Sequence, residues 1–224
     1  MQPDHHPHQW IERRPFWFVA AVTVAVSIGG LVEMIPLFKL SQGGQPSSLE
    51  AKAAALVRPR GALAMEGFDV YVREGCYTCH SQMVRPFRHE TQRYGNYSLA
   101  ADAQYDHPFQ YGSRRIGPDL ARLGGKYPDS WHYQHLKEPA SMVPGSLMPR
   151  YTWLEQTKLD PQLTQAKLRA QRVVGVPYTD AEIADAPKAV LDKNEADALV
   201  AYLQSLGTAT KDLAQEETAH VVRR

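Results

Sequence analysis

The chain has 224 residues, a formal net charge of +1 and 22% charged residues. That near-neutral balance argues against a nucleic-acid-binding protein, and neither a Walker loop nor a dinucleotide fingerprint is present. The length allows one domain of ordinary size with additional segments.

Residues 1–15 are a short polar lead, expected on the cytoplasmic side, in which His5, His6 and His8 read as a solvated tail rather than a metal site. The run FWFVAAVTVAVSIGGLVEMIPLF at 16–38 contains one ionisable residue, Glu33. About 23 helical residues at 1.5 Å each span ~34 Å, against a hydrocarbon core of ~30 Å. A transmembrane anchor helix over 16–40 follows, and the absence of a small-x-small cleavage pattern after it favours an uncleaved anchor over a signal peptide. Arg13 and Arg14 precede the run, while Trp10, Trp17 and Phe38 suit its interfaces. Glu33 lies near the outer end and faces either a partner helix, a water-filled crevice or the headgroups. Residues 41–60 read as a linker that opens with a flexible polar loop at 41–48.

From residue 61 the pattern becomes that of a soluble domain. ALAMEGFDVYVREG at 62–75 predicts a helix with Phe68, Tyr71 and Val72 on one face. It runs into Cys76-Tyr77-Thr78-Cys79-His80. Thiols at i and i+3 can add across the two vinyl groups of a haem, while the adjacent imidazole reaches the iron. A thioredoxin-type redox pair or half a zinc site uses the same Cys-x-x-Cys spacing. The chain has only 2 cysteines, which excludes a four-cysteine zinc cluster, and no βαβ pattern surrounds the motif. One covalent haem c is the expectation. Thioether bonds to haem are made outside the bacterial inner membrane, so the residues after the anchor are expected in the periplasm.

The segment from 81 to 116 interleaves Arg85, Arg88, Arg93, Arg114 and Arg115 with Phe87, Tyr94, Tyr97, Tyr105, Phe109 and Tyr111. Such residues suit desolvated protein interfaces, and arginine also pairs with haem propionates. Gly117-Pro118-Asp119-Leu120 is by itself common turn chemistry, but it resembles the Gly-Pro-x-Leu segment of class I cytochromes, in which a backbone carbonyl accepts the ring N–H of the ligating histidine; Pro118 is the matching residue. A middle helix is expected over about 130–137. The sixth iron ligand falls among Met142, Met148, His132 and His135. Met148, in the proline-bounded loop Ser146-Leu147-Met148-Pro149, is preferred, because Met83 is too near His80 and Met65 precedes the attachment helix. Histidine–methionine ligation fills both axial positions and suits electron transfer. Residues 154–193 read as a polar excursion with one helix through 162–172. A final helix over 194–206, capped by Gly207, carries Ala198, Leu199, Tyr202, Leu203 and Leu206 at helical spacing. The cytochrome domain is expected over 61–208, followed by a charged tail over 209–224. The fold class is mainly α: one transmembrane helix, then a class I cytochrome c-like helical domain with long loop insertions.

The stretches GCYTCHSQMVRPFRHETQRYGNYSLA, YDHPFQYGSRRIGPDLARLGGKYPDSWHYQHLKEP and SLMPRYTWL, together with GVPYTDAEI at 175–183 and the anchor, resemble the mono-haem cytochrome c subunit of cbb3-type cytochrome c oxidases, the FixO or CcoO type. The resemblance implies a fixed electron-transfer subunit with no active site of its own. Its partners would be a multi-helix catalytic subunit carrying haem b, haem b3 and copper, where oxygen is reduced with proton pumping, and a further membrane-anchored cytochrome c that donates electrons. It also implies that Cys76 and Cys79 hold the haem, with His80 as proximal and Met148 as distal ligand. Arg114 and Arg115 are assigned more loosely to propionate contacts. The mono-haem subunit of a nitric oxide reductase shares the gross plan, and a free-standing anchored carrier is the alternative from another class. A gas sensor would need an open sixth position.

Overall fold

The computed structural model describes residues 7–43, 48–112, 114–211 and 213. It comprises two units, Met1–Ser47 and Ser48–Arg224.

The first unit holds α1 (Pro7–Glu12) and α2 (Pro15–Gly43). Part of the expected polar lead is thus helical, and the Arg14 guanidinium lies 4.8 Å from the Trp10 ring centroid. His5 and His6 lie outside the described residues, as does the Glu33 side chain. At 29 residues, α2 extends about 44 Å at 1.5 Å per residue. Its stretch Pro15–Val32 is long and apolar enough to cross a membrane, and none of it is buried within the protein. Phe16, Val19, Val26 and Val32 are all more than half exposed, which suits lipid as the surrounding solvent. Residues 44–47 of the expected polar loop lie outside the described set.

The second unit contains α3 (Ser48–Leu56), α4 (Ala62–Arg73), α5 (Arg88–Tyr94), α6 (Asp129–Lys137), α7 (Pro139–Met142), α8 (Pro161–Val173), α9 (Asp180–Val190) and α10 (Glu195–Ser205), with short 3-10 turns between them. Among the described residues there is no strand, only an isolated bridge between Lys158 and Asn194.

The core forms where α4 crosses α10. Both helices bury residues at three- and four-residue spacing: Phe68 and Tyr71 from one, Leu199, Tyr202 and Leu203 from the other. The crossing is close because Gly67 presents no side chain; a Cβ there would stand 1.9 Å from the Ala198 carbonyl oxygen. Phe68 and Tyr202 meet edge to face at 5.7 Å, and Arg73 bridges to Glu195 with Nη1 to Oε1 at 2.7 Å. Asn194 begins α10 with a reciprocal cap: its side chain accepts from the Asp197 N–H at 2.9 Å, and its own N–H donates to Asp197 at 3.0 Å. Gly207, at φ +71°, lies just past the other end.

The expected linker 41–60 includes α3, whose Ala53 is fully buried in a small cluster with Leu99, Ala101 and Leu213. Arg60 is held by a buried ion pair with Asp106 and lies 5.1 Å from the Tyr202 ring centroid. The excursion 154–193 contains the helix expected over 162–172, as α8, and a second helix, α9, that was not expected. Leu168 of α8 and Ile183, Ala186 and Val190 of α9 bury a cluster against Ala62 and Met65 of α4. Thr179 and Glu182 form a capping box at the start of α9. Pro187 has no N–H for the Ile183 carbonyl, and Gln165 of α8 supplies the missing donor at 3.1 Å.

Gly67→Ala should force α4 and α10 apart and destabilise the fold by about 1–3 kcal/mol. Thermal unfolding with the parental midpoint would show that the crossing tolerates a methyl group.

Candidate functional site

Just beyond the crossing, α4 ends and Gly75 adopts a left-handed φ of 71°, turning the chain into the 3-10 helix Cys76–Thr78. The Cys79 and His80 N–H groups both donate to the Cys76 carbonyl, at 3.2 and 3.0 Å. This tight turn presents two free, half-buried thiols and the His80 ring together. Burial, followed by the negative charge of Glu74, pushes the Cys76 thiol up to about 12. A thiol kept protonated at neutral pH is a poor nucleophile for disulfide exchange.

His80 is positioned from the segment 117–120. Its Nδ1 lies 2.8 Å from the Pro118 carbonyl oxygen. A carbonyl only accepts, so Nδ1 carries the proton and Nε2 keeps its lone pair. The backbone approaches closely enough that a Cβ on Gly117 would stand 2.2 Å from His80 Cε1. The two segments run side by side, with Gly117 N–H donating to Cys79 O at 3.0 Å and Leu120 N–H to Ser81 O at 2.9 Å.

A buried polar network locks this alignment. The Asp119 carboxylate accepts from Ser81 Oγ at 2.6 Å, Met83 N–H at 2.9 Å and Ala121 N–H at 2.9 Å. Arg115 donates to Ser81 Oγ at 2.6 Å and to the Met83 carbonyl at 2.9 Å, and pairs with Glu90 and Asp119. Glu90, only 1% exposed, also binds Arg85. Its donors, Arg115 foremost, hold the carboxyl well below the usual range, at about 2. Asp119 is thus a buried carboxylate whose role is structural. Glu90 carries little signal in the sequence, because its foremost partner, Arg115, lies 25 positions away. Of the two arginines expected at propionates, Arg115 is committed to these carboxylates and Arg114 is exposed.

The candidate sixth ligands separate by position. Met148 is half-buried and packs against the Phe68–Tyr202 core, as does Cys76. Its loop is closed onto α6 by Tyr151 N–H, which donates to the Leu136 carbonyl at 2.8 Å. Met142 is 37% exposed. On α6, His132 is buried and His135 half-buried, each with one buried ring nitrogen that lacks a hydrogen-bond partner, Nε2 and Nδ1 respectively.

Residues 8–195 match the family described as cytochrome c oxidase, mono-heme subunit/FixO. The chain belongs to this family of membrane-associated oxidase subunits, whose description implies one haem and a catalytic subunit as partner. No curated protein sequence matches the chain.

Glu90→Gln tests the network through pH. The folded carboxyl is depressed from an ordinary value near 4.5 to about 2, so its stabilisation is complete above about 4.5 and is lost as pH falls towards 2. The variant should be less stable at pH 7 and show a flatter loss of stability across that acid window. Identical acid-unfolding profiles for parent and variant would contradict the assignment.

Proposed function

We propose that the chain holds one haem c and relays single electrons through it to the catalytic subunit of a cbb3-type oxidase. The observation that carries this reading is the His80 ring, oriented by the Pro118 carbonyl and emerging from the same short turn as two free thiols. Cys76 and Cys79 would form the thioethers, His80 would bind the iron through Nε2, and Met148 would supply the distal sulfur. The residues present fit such a group. The chain supplies two thiols at vinyl spacing, an imidazole with its outer nitrogen free, a thioether on the core wall and a buried orphan nitrogen at His135. When bound, the haem supplies a one-electron iron couple, and nitrogen–sulfur ligation raises its potential.

The polypeptide's own part is structural. The Pro118 carbonyl fixes the His80 ring and strengthens its basicity, the Glu90–Arg115–Asp119 network holds Pro118 in register, and the core backs the Met148 thioether. No acid, base or nucleophile is required. Arg114, exposed beside the network, is the arginine left to meet a haem carboxylate. With α2 as the anchor and the N-terminus in the cytoplasm, the cytochrome unit would lie in the periplasm of the inner membrane. There it would accept electrons from a further anchored cytochrome c.

Met148→Leu should retain covalent haem and lose the low-spin histidine–methionine spectrum; an unchanged spectrum assigns the ligand elsewhere. Purification in mild detergent through a tag on this chain should bring b-type haem, copper and oxygen uptake. Non-haem iron with nitric oxide reduction would instead place the chain in a nitric oxide reductase, and a lone c-type spectrum would make it a separate carrier.

A further inference from the structure

Tyr127, Trp131 and His135 form a column. Tyr127 stacks on Trp131 at 4.2 Å and 15°, and Trp131 stacks on His135 at 4.5 Å and 17°. The column fixes the His135 ring plane. Its Nδ1 is nevertheless buried without a hydrogen-bond partner, an arrangement that folded proteins rarely leave unfilled. Burial first, and then the proximity of His80, lower the His135 pKa. The neighbouring Leu136 carries the carbonyl that closes the Met148 loop. His132 differs, since the titratable groups that act on it are Asp129 and His135 rather than His80.

Resting on the haem reading above, we infer that His135 is a positioning residue that tunes the haem's potential. A haem held by Cys76, Cys79 and His80 would offer carboxylate acceptors, so an Nδ1 turned towards it would carry the proton. The positive end of that N–H dipole favours the form holding the extra electron and therefore raises the midpoint potential.

The test is a redox titration of the c-type absorbance in the complex purified through this chain. His135→Phe keeps a ring against Trp131 and removes the donor; His135→Gln removes the stack and keeps an N–H. The Phe variant should titrate at a lower midpoint and the Gln variant close to the parent. A parental midpoint in the Phe variant, or an equal fall in both, overturns the inference. So does a change to a high-spin spectrum in either variant, which would make His135 an axial ligand. If the Phe variant acquires no haem, the Gln variant decides alone, a fallen midpoint counting against the proposal. Absence of any c-type absorbance in the parent would overturn the haem reading itself.

Discussion

The close crossing of α4 and α10 at Gly67 is the constraint on which the rest of the second unit depends. With the Ala198 carbonyl where a side chain would stand, the helices interlock through Phe68, Tyr71, Tyr202 and Leu203, and the Arg73–Glu195 pair fixes their relative orientation. Everything at the site leaves from this junction. Cys76 lies a few residues past the end of α4, and Met148 and Tyr151 pack on the same cluster. The core therefore does not merely stabilise the fold. It sets the wall against which a planar, apolar group can be held by short loops.

A second layer of order comes from charge. Taking Glu90 and Asp119 out of water is costly, and the cost is offset because Arg115, Arg85, Ser81 and backbone N–H groups fill their acceptor positions. The network joins the residues immediately after His80 to those immediately around Pro118. It converts two loops into one rigid mount for an imidazole whose tautomer is already chosen. Rigidity of this kind suits one-electron transfer, in which the metal's surroundings should change little between oxidation states.

Much of this was legible in the residues. The Cys-x-x-Cys-His spacing, the Gly-Pro turn and the terminal helices at 62–75 and 194–206 carry local signals, and the structure places helices at Ala62–Arg73 and Glu195–Ser205. What was not legible depends on partners far away in sequence. Nothing local marks Glu90 as buried, since Arg115 is 25 positions distant. The α9 helix did have a signal, the Thr179–Glu182 capping box, masked by Pro187 and a polar composition. Its apolar face makes sense only against α4 and α8. Similarly, α3 looks like linker because the residue it buries fully, Ala53, is an alanine.

The central claim is that one haem is covalently attached through Cys76 and Cys79. The most direct measurement is the mass of the denatured chain purified from membranes. The account predicts a chain heavier by one haem, with the added mass on the peptide containing both cysteines. A denatured chain at the mass of the polypeptide alone, with its thiols free to alkylate, would contradict it.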